Sequence, residues 1–346
     1  MQQVTIHAPN DVRLIEIPKP EPGPQDVVVK VAACGICGSD LSYVAMGGLP
    51  VSSGGPMPLG HELSGVVDAV GEAVTSIRVG QRVVVNPEAG NNRIGNGGPE
   101  GGFAPYLLVR NVTESACVYP LPESLTFQQG ALVEPLAVGM HAVNQSEARP
   151  DDKVVVFGAG PIGLAAIVCL RYRGVKDILA VDLSDTRLAL AEQLGARGVC
   201  NAASADPWQV IREHHGRELV HGVMPAVGTD VYIDASGAAP VVRSIFDNSK
   251  FGARMVVVAM HKQEVSLPFF HVMAKELTIK GAMAYPNEFP AVIEMLVSGR
   301  VEVSPMITHQ FDFAEFMEAL ATAQQPGKAA KVMVNFTTSA RNHTGL

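Results

Sequence analysis

Residues 158–163 read Gly-Ala-Gly-Pro-Ile-Gly, and their surroundings restrict the fold sharply. An apolar run, Lys153 to Phe157, precedes them. A helix-prone segment, Leu164 to Tyr172, follows. A second apolar run, Ile178 to Val181, then ends in Asp182. Strand, glycine turn, helix, strand and acid in that order predict a dinucleotide site. Gly158 is expected to make the tight turn, and Gly160 to let the backbone approach a pyrophosphate. Gly163 should let helix and strand pack closely. Pro161 and Ile162 fall at the helix start, whose free N–H groups and partial positive charge suit phosphates. Asp182 is placed to accept hydrogen bonds from ribose hydroxyls, and its charge favours NAD over NADP. Asp185 adds to that bias, while Arg187 opposes it slightly.

A nucleotide turn names no reaction, so the remaining chain has to supply the chemistry. With 346 residues there is room for about two domains. From about residue 151 the pattern alternates strand and helix: Thr186 to Leu194 is helical and stops at Gly195. Val231–Asp234, Met255–Ala259 and Thr278–Gly281 read as later strands. This predicts an α/β fold with a doubly wound parallel sheet. Residues before about 150 read as mostly β, with strands at Val27–Ala33, Gly65–Val70 and Gln81–Val85. The Asn/Gly/Pro-rich loop 86–102 and a helix-prone stretch, Phe127 to Asn144, follow them. Short strands with frequent turns suggest a partly open barrel. A helix from Glu288 to Leu296, an extended segment from Met306 to Phe311, another helix, a last strand from Lys331 to Phe336 and a loose tail from Thr337 complete the expectation.

A net charge of −8 with no basic run argues against a nucleic-acid surface. No apolar run reaches membrane-spanning length, and no signal-peptide pattern opens the chain. Five cysteines without framework spacing fit a reducing, cytoplasmic setting.

The β-rich half carries Cys34-Gly-Ile-Cys37-Gly-Ser39-Asp40, then Gly60-His61-Glu62, and later Glu134. Thiolate, imidazole and carboxylate together suit Zn²⁺. Taken singly each is weak. A CxxC can be a redox pair, His61 a satisfied structural histidine, and the two glutamates surface or capping groups. The absence of a second CxxC excludes a four-cysteine site.

The combination resembles the zinc-dependent medium-chain dehydrogenase/reductase family, in its polyol branch of sorbitol, threonine and L-idonate dehydrogenases. The motifs run in family order over nearly the whole chain: Lys30 to Asp40, Gly60-His-Glu, Val79-Gly-Gln-Arg-Val, Gly102-Phe-Ala, Val133-Glu-Pro-Leu, the Gly158 turn, Ser298-Gly-Arg-Val and Pro305-Met-Ile-Thr-His. The resemblance implies a GroES-like catalytic domain (1–150), an NAD-binding Rossmann domain (151–285) and a C-terminal segment (286–346) returning to the first. It places zinc in the cleft between the domains. By matching position, Cys37 and His61 are expected as zinc ligands and Glu62 as the third. Glu134 would bind directly or through water. Cys34 would pack in the core, Asp40 would orient a ligand, and Ser39 would take the proton of the substrate hydroxyl. The implied activity is reversible oxidation of a secondary alcohol or polyol to a ketone with NAD, in a homo-oligomer, dimer or tetramer. The competing readings are a zinc-free NADP-dependent quinone or enoyl reductase, or a non-catalytic protein on the same fold.

Two departures from the family matter. The loop 86–102 has none of the four cysteines that hold a structural zinc in many relatives, so one zinc per chain is expected. Ser42 replaces a histidine that several relatives use as the outer end of a proton relay. Charge also limits the metal. Thiolate and one carboxylate neutralise Zn²⁺, and a second bound carboxylate would weaken its ability to lower a hydroxyl's pKa. Glu62 and Glu134 are therefore not expected to stay coordinated together with substrate bound. Tyr43, Met46, Phe103, Tyr106, His271, Met283 and Tyr285 could line a substrate site or equally be structural. His141 reads as structural. No Arg/Lys cluster lies near them, which disfavours a sugar acid.

Overall fold

The computed structural model describes residues 1–50, 55–325 and 327–336; the expected tail from Thr337 lies outside them. The chain divides into two compact units, one of Met1–Glu134 with the segment from Ile307, the other Pro135–Met306.

The first unit opens with a hairpin, β1 (Gln2–Ala8) and β2 (Asp11–Glu16), that the sequence reading did not register. The long strand β3 (Val27–Ile36) follows. It leads directly into α1 (Gly38–Met46), whose N-cap is Cys37. Then come β4 (Met57–Pro58), β5 (Glu62–Val70), β6 (Arg82–Val85), β7 (Tyr106–Val109) and β8 (Val118–Pro120). The expected helix near 127–144 is two helices, α2 (Phe127–Ala131) and α3 (Val133–Ser146). Pro135 explains the break, because it lacks the N–H that would bond the Ala131 carbonyl.

The second unit carries a parallel sheet. Its elements are β9 (Lys153–Phe157), α4 (Pro161–Tyr172), β10 (Asp177–Asp182), α5 (Asp185–Gln193), β11 (Gly198–Asn201) and α6 (Pro207–His215). A small antiparallel pair, β12 (Arg217–Val220) and β13 (Met224–Val227), interrupts the alternation. It resumes with β14 (Val231–Asp234), α7 (Ala239–Asn248), β15 (Arg254–Val257), α8 (Phe269–Lys275), β16 (Thr278–Gly281) and α9 (Phe289–Val297). The strand order is β11-β10-β9-β14-β15-β16, all parallel. The order reverses between β9 and β14, the switch point where ligands bind doubly wound sheets. Both faces are covered, so the strands read as unbroken apolar runs rather than alternating ones. Val154, Val155 and Val156 are all fully buried.

The chain then returns to the first unit with β17 (Ile307–Asp312), α10 (Phe316–Ala323) and β18 (Lys331–Asn335). Its seven-stranded sheet runs β17-β18-β3-β5-β6-β8, with β7 also on β3. This order puts β3 between the late strand β18 and β5. Val332 is opposite Ile36, and Gly35 opposite Glu62. Together they bring Lys331, the CxxC end of β3 and the His-Glu start of β5 to one end of the sheet.

Candidate functional site

Cys37, His61 and Glu62 converge. One ligand atom from each lies within 4.8 Å of the others, and His61 and Glu62 are buried. Asp40 ties the group together. Its Oδ2 accepts from the Cys37 backbone N–H at 2.9 Å, closing a capping box at the start of α1. Its Oδ1 stands 3.4 Å from His61 Nδ1. Ser39 Oγ is 3.4 Å from the other ring nitrogen, Nε2. Burial opposes protonation of the imidazole, but the neighbouring Asp40 and Cys37 outweigh it and hold His61 well above its ordinary value. Asp40 Oδ1 and His61 Nδ1 also lack hydrogen-bond partners among the described residues.

A cation partner is present that the sequence reading missed. Lys331, 1% exposed, donates to both Glu62 oxygens at 2.6 Å and to the Ile36 carbonyl at 3.1 Å. Burial opposes its charge, yet Glu62, Cys37 and Glu134 hold its pKa above the ordinary lysine value. Glu134 is buried and near enough to act on Lys331, but it is not one of the three converging groups. Gly35 makes the space: a Cβ there would overlap the Glu62 carboxylate and come within 3.2 Å of the Lys331 side chain.

Other residues named from the sequence find structural places. Cys34 and Phe103 are fully buried, and the Phe103 ring packs on Phe316 with centroids 4.8 Å apart. The Ser42 hydroxyl donates back to the Gly38 carbonyl within α1. Tyr285 packs on Phe289. The His141 ring is 2.8 Å from Glu288. The loop 86–102 is held by the Asn92 amide, which donates to the carbonyls of Ala89 and Arg110 at 2.8 and 2.9 Å.

In the second unit each glycine of the turn has its own reason. Gly158 has φ +94°, and a Cβ on it would meet the Ala235 carbonyl oxygen at 2.7 Å. A Cβ on Gly163 would overlap the Gly158 carbonyl. Gly160 is different: a Cβ there would meet nothing within 4 Å among the described residues, so this half-buried N-cap of α4 borders open space. Pro161 takes the first helical position, where a missing N–H costs nothing. Ile162 and Arg187 fall in the first turns of α4 and α5. Asp182 closes the turn from β10. Its Oδ2 accepts from Ala159 N–H at 2.7 Å and its Oδ1 from Ser184 N–H at 2.9 Å. Asp185 accepts from the Asn201 amide. Beside the turn, at the end of β14, the fully buried Asp234 accepts from the Ser236 hydroxyl at 2.7 Å and lies 2.6 Å from His261 Nε2. Nothing in the local sequence singled out this trio.

The family comparisons agree with this geometry. Residues 23–123 match the alcohol dehydrogenase GroES-like domain, and residues 161–298 the zinc-binding dehydrogenase domain. The chain is 33% identical to human sorbitol dehydrogenase, covering 98% of this chain and 97% of that protein. The crystal structure of 2R,3R-butanediol dehydrogenase from Bacillus subtilis superposes with a TM-score of 0.86 at 32% identity, covering 97% of this chain and 99% of that one. An Escherichia coli alcohol dehydrogenase solved with NADH superposes at 0.84 with 28% identity, covering 97% and 99%. A zinc-binding dehydrogenase from Sinorhizobium meliloti solved with NADP does so at 0.83 with 27% identity, over the same shares. The chain belongs to the zinc-dependent medium-chain dehydrogenase/reductase family, in its polyol-dehydrogenase-like branch. It is a hydride-transferring oxidoreductase.

Proposed function

We propose that the protein oxidises a secondary alcohol or neutral polyol to a ketone, reversibly, with NAD and one catalytic zinc per chain. The observation that carries this reading is the convergence of Cys37, His61 and Glu62. Sulfur, nitrogen and oxygen donors in a buried, anionic pocket fit Zn²⁺ and leave a fourth position for substrate. When bound, zinc would supply a Lewis acid for the alcohol oxygen and NAD the hydride acceptor.

The chain's own residues do the rest. The Asp40 carboxylate, 3.4 Å from His61 Nδ1, favours a proton on that nitrogen by its charge and leaves Nε2 for the metal. Ser39, beside that nitrogen, takes the hydroxyl proton. Lys331 offsets the Glu62 charge, so thiolate, Glu62 and Lys331 together carry −1 against the metal's +2. Adding Glu134 as a second bound carboxylate would cancel the surplus that favours ionising a hydroxyl. We therefore assign Glu62 as the third ligand and Glu134 as a reserve carboxylate that does not stay bound beside it with substrate present.

Asp182 sets the cofactor preference. A carboxylate oxygen has two lone pairs, so both Asp182 oxygens can keep their backbone donors and still accept a ribose hydroxyl. A 2′-phosphate would be repelled. Loop 86–102 contains no cysteine and is closed by Asn92 hydrogen bonds, which supports a single, catalytic zinc in that half. Phe269, Phe270, Met273 and Met283 flank the edge strand β16 in sequence and are 62–83% exposed, which supports a homo-oligomer. Five free cysteines, four of them buried, fit a reducing, cytoplasmic location.

The test is NADH formation across a panel of secondary alcohols, vicinal diols and sugar acids. Turnover of a neutral diol or polyol with NAD is the expected result. Turnover confined to quinones or enones with NADPH would refute the reading.

A further inference from the structure

A second cluster of metal-binding side chains lies in the parallel-sheet unit, away from the nucleotide turn. Asp177 is the first residue of β10, and His214 and His215 are the last two of α6. Asp177 Oδ1 is 3.4 Å from His214 Nε2 and 3.7 Å from His215 Nε2, and one ligand atom from each of the three residues lies within 4.8 Å of the others. Two ligands at ~2.1 Å in a tetrahedral zinc site stand about 3.4 Å apart. The two histidine–aspartate distances are close to that spacing. Neither contact is a hydrogen bond among the described residues.

His215 supplies the independent sign of a ligand. Its side chain is fully buried, and its Nε2 stands 3.7 Å from Asp177 Oδ1; among the described residues neither atom has a hydrogen-bond partner. The other ring nitrogen, Nδ1, is 2.8 Å from the buried Thr229 hydroxyl. With Nδ1–H donating to that oxygen, the lone pair stays on Nε2, as in histidines oriented for a metal. His214 and Asp177 keep side-chain exposures of 28% and 21%, which gives an ion a path in and leaves water to complete the shell. Gly198 makes room for the His214 ring, because a Cβ there would come within 2.8 Å of it.

We propose that Asp177, His214 and His215 form a second divalent transition-metal site, suited to Zn²⁺, that clamps the C-terminus of α6 to the start of β10. Asp182 lies at the other end of β10, ~16 Å along the strand, so the role is stabilisation rather than chemistry. The one zinc expected from the cysteine pattern is the catalytic ion, and this site takes a second when free metal is supplied.

The experiment is equilibrium dialysis of the whole, chelator-treated protein against Zn²⁺ or Co²⁺, with a melting curve at each loading. The wild type should bind two equivalents. His214→Ala should bind one, and so should Cys37→Ser, each losing a different site. The cobalt retained by Cys37→Ser should show ligand-field absorption without a sulfur charge-transfer band. The second equivalent should raise the melting temperature of the wild type but not of His214→Ala. Asp177→Asn provides a second variant if His214→Ala folds poorly. Wild type saturating at one equivalent, or both His214→Ala and Asp177→Asn still binding two, would overturn the proposal. Failure of the catalytic assignment would appear separately, as two equivalents retained by Cys37→Ser.

Discussion

Lys331 Nζ stands 2.6 Å from both carboxylate oxygens of Glu62, and both side chains are buried. A buried carboxylate left without its cation is strongly destabilising, by about 3–5 kcal/mol. Lys331→Met should therefore lower the stability of the zinc-free protein by that order, read from denaturant melts. Zinc should restore part of the loss, because the metal replaces the missing positive charge. Adding Glu62→Gln to Lys331→Met should recover stability while lowering zinc affinity. Equal melts for wild type and Lys331→Met would show that the pair contributes nothing.

The glycine turn separates folding from nucleotide binding. Gly160→Ala adds a methyl where the free protein has open space. The melting temperature should stay within a few degrees, while the KM for NAD should rise at least ~10-fold (~1.4 kcal/mol) if a pyrophosphate occupies that space. Gly163→Ala puts a methyl into the Gly158 carbonyl and should destabilise the unit by ~1–3 kcal/mol or more. If the two variants behave alike in melts and in NAD titration, the assignment of the turn is wrong.

Asp182 holds the turn through two backbone N–H groups, and the proposed function gives it the choice of cofactor as well. Asp182→Ser should lower the NAD-over-NADP preference in kcat/KM by ~10–100-fold by removing the negative charge. It should also cost stability, since the Ala159 and Ser184 amides lose their acceptor. An unchanged cofactor ratio would remove Asp182 from the recognition of ribose.

His215 gives the metal-free protein an acid limb. Its ordinary value of 6.5 falls to about 4 in the fold because burial disfavours the charged ring; His214 and Lys153 push the same way, while Asp177 and Asp230 oppose. The folded state binds fewer protons, so stability is full above about pH 6.5. It is lost as pH falls toward 4, by an amount on the order of 3 kcal/mol. Urea midpoints in chelator-treated protein should show this loss, and His215→Gln should flatten it. A flat wild-type profile between pH 7 and 4 would contradict the assignment.

What the sequence discloses divides by distance along the chain. The turn at 158–163 and its acid lie within 25 residues of one another, so their pattern alone located them. The metal ligands come from two short motifs at adjacent strand ends, β3 and β5, and were legible as residue types. Lys331 was not, because it is 269 residues from Glu62 and reaches it only through the pairing of β18 with β3. Asp177 with His214–His215, and Asp234 with His261, were hidden for the same reason. Phe103, weighed as a substrate-lining residue or core, proves to be core against Phe316, another long-range contact. Local chemistry is written in spacing; charge compensation across a sheet is written in register.

Zinc titration of the chelator-treated enzyme, followed by NAD reduction with an accepted secondary alcohol, tests the catalytic reading most directly. Activity should rise with occupancy of the Cys37–His61–Glu62 group and saturate at one equivalent there. Cys37→Ser should stay at least ~1000-fold below wild type at any zinc loading. Full activity in the zinc-free protein, or in zinc-loaded Cys37→Ser, would contradict it.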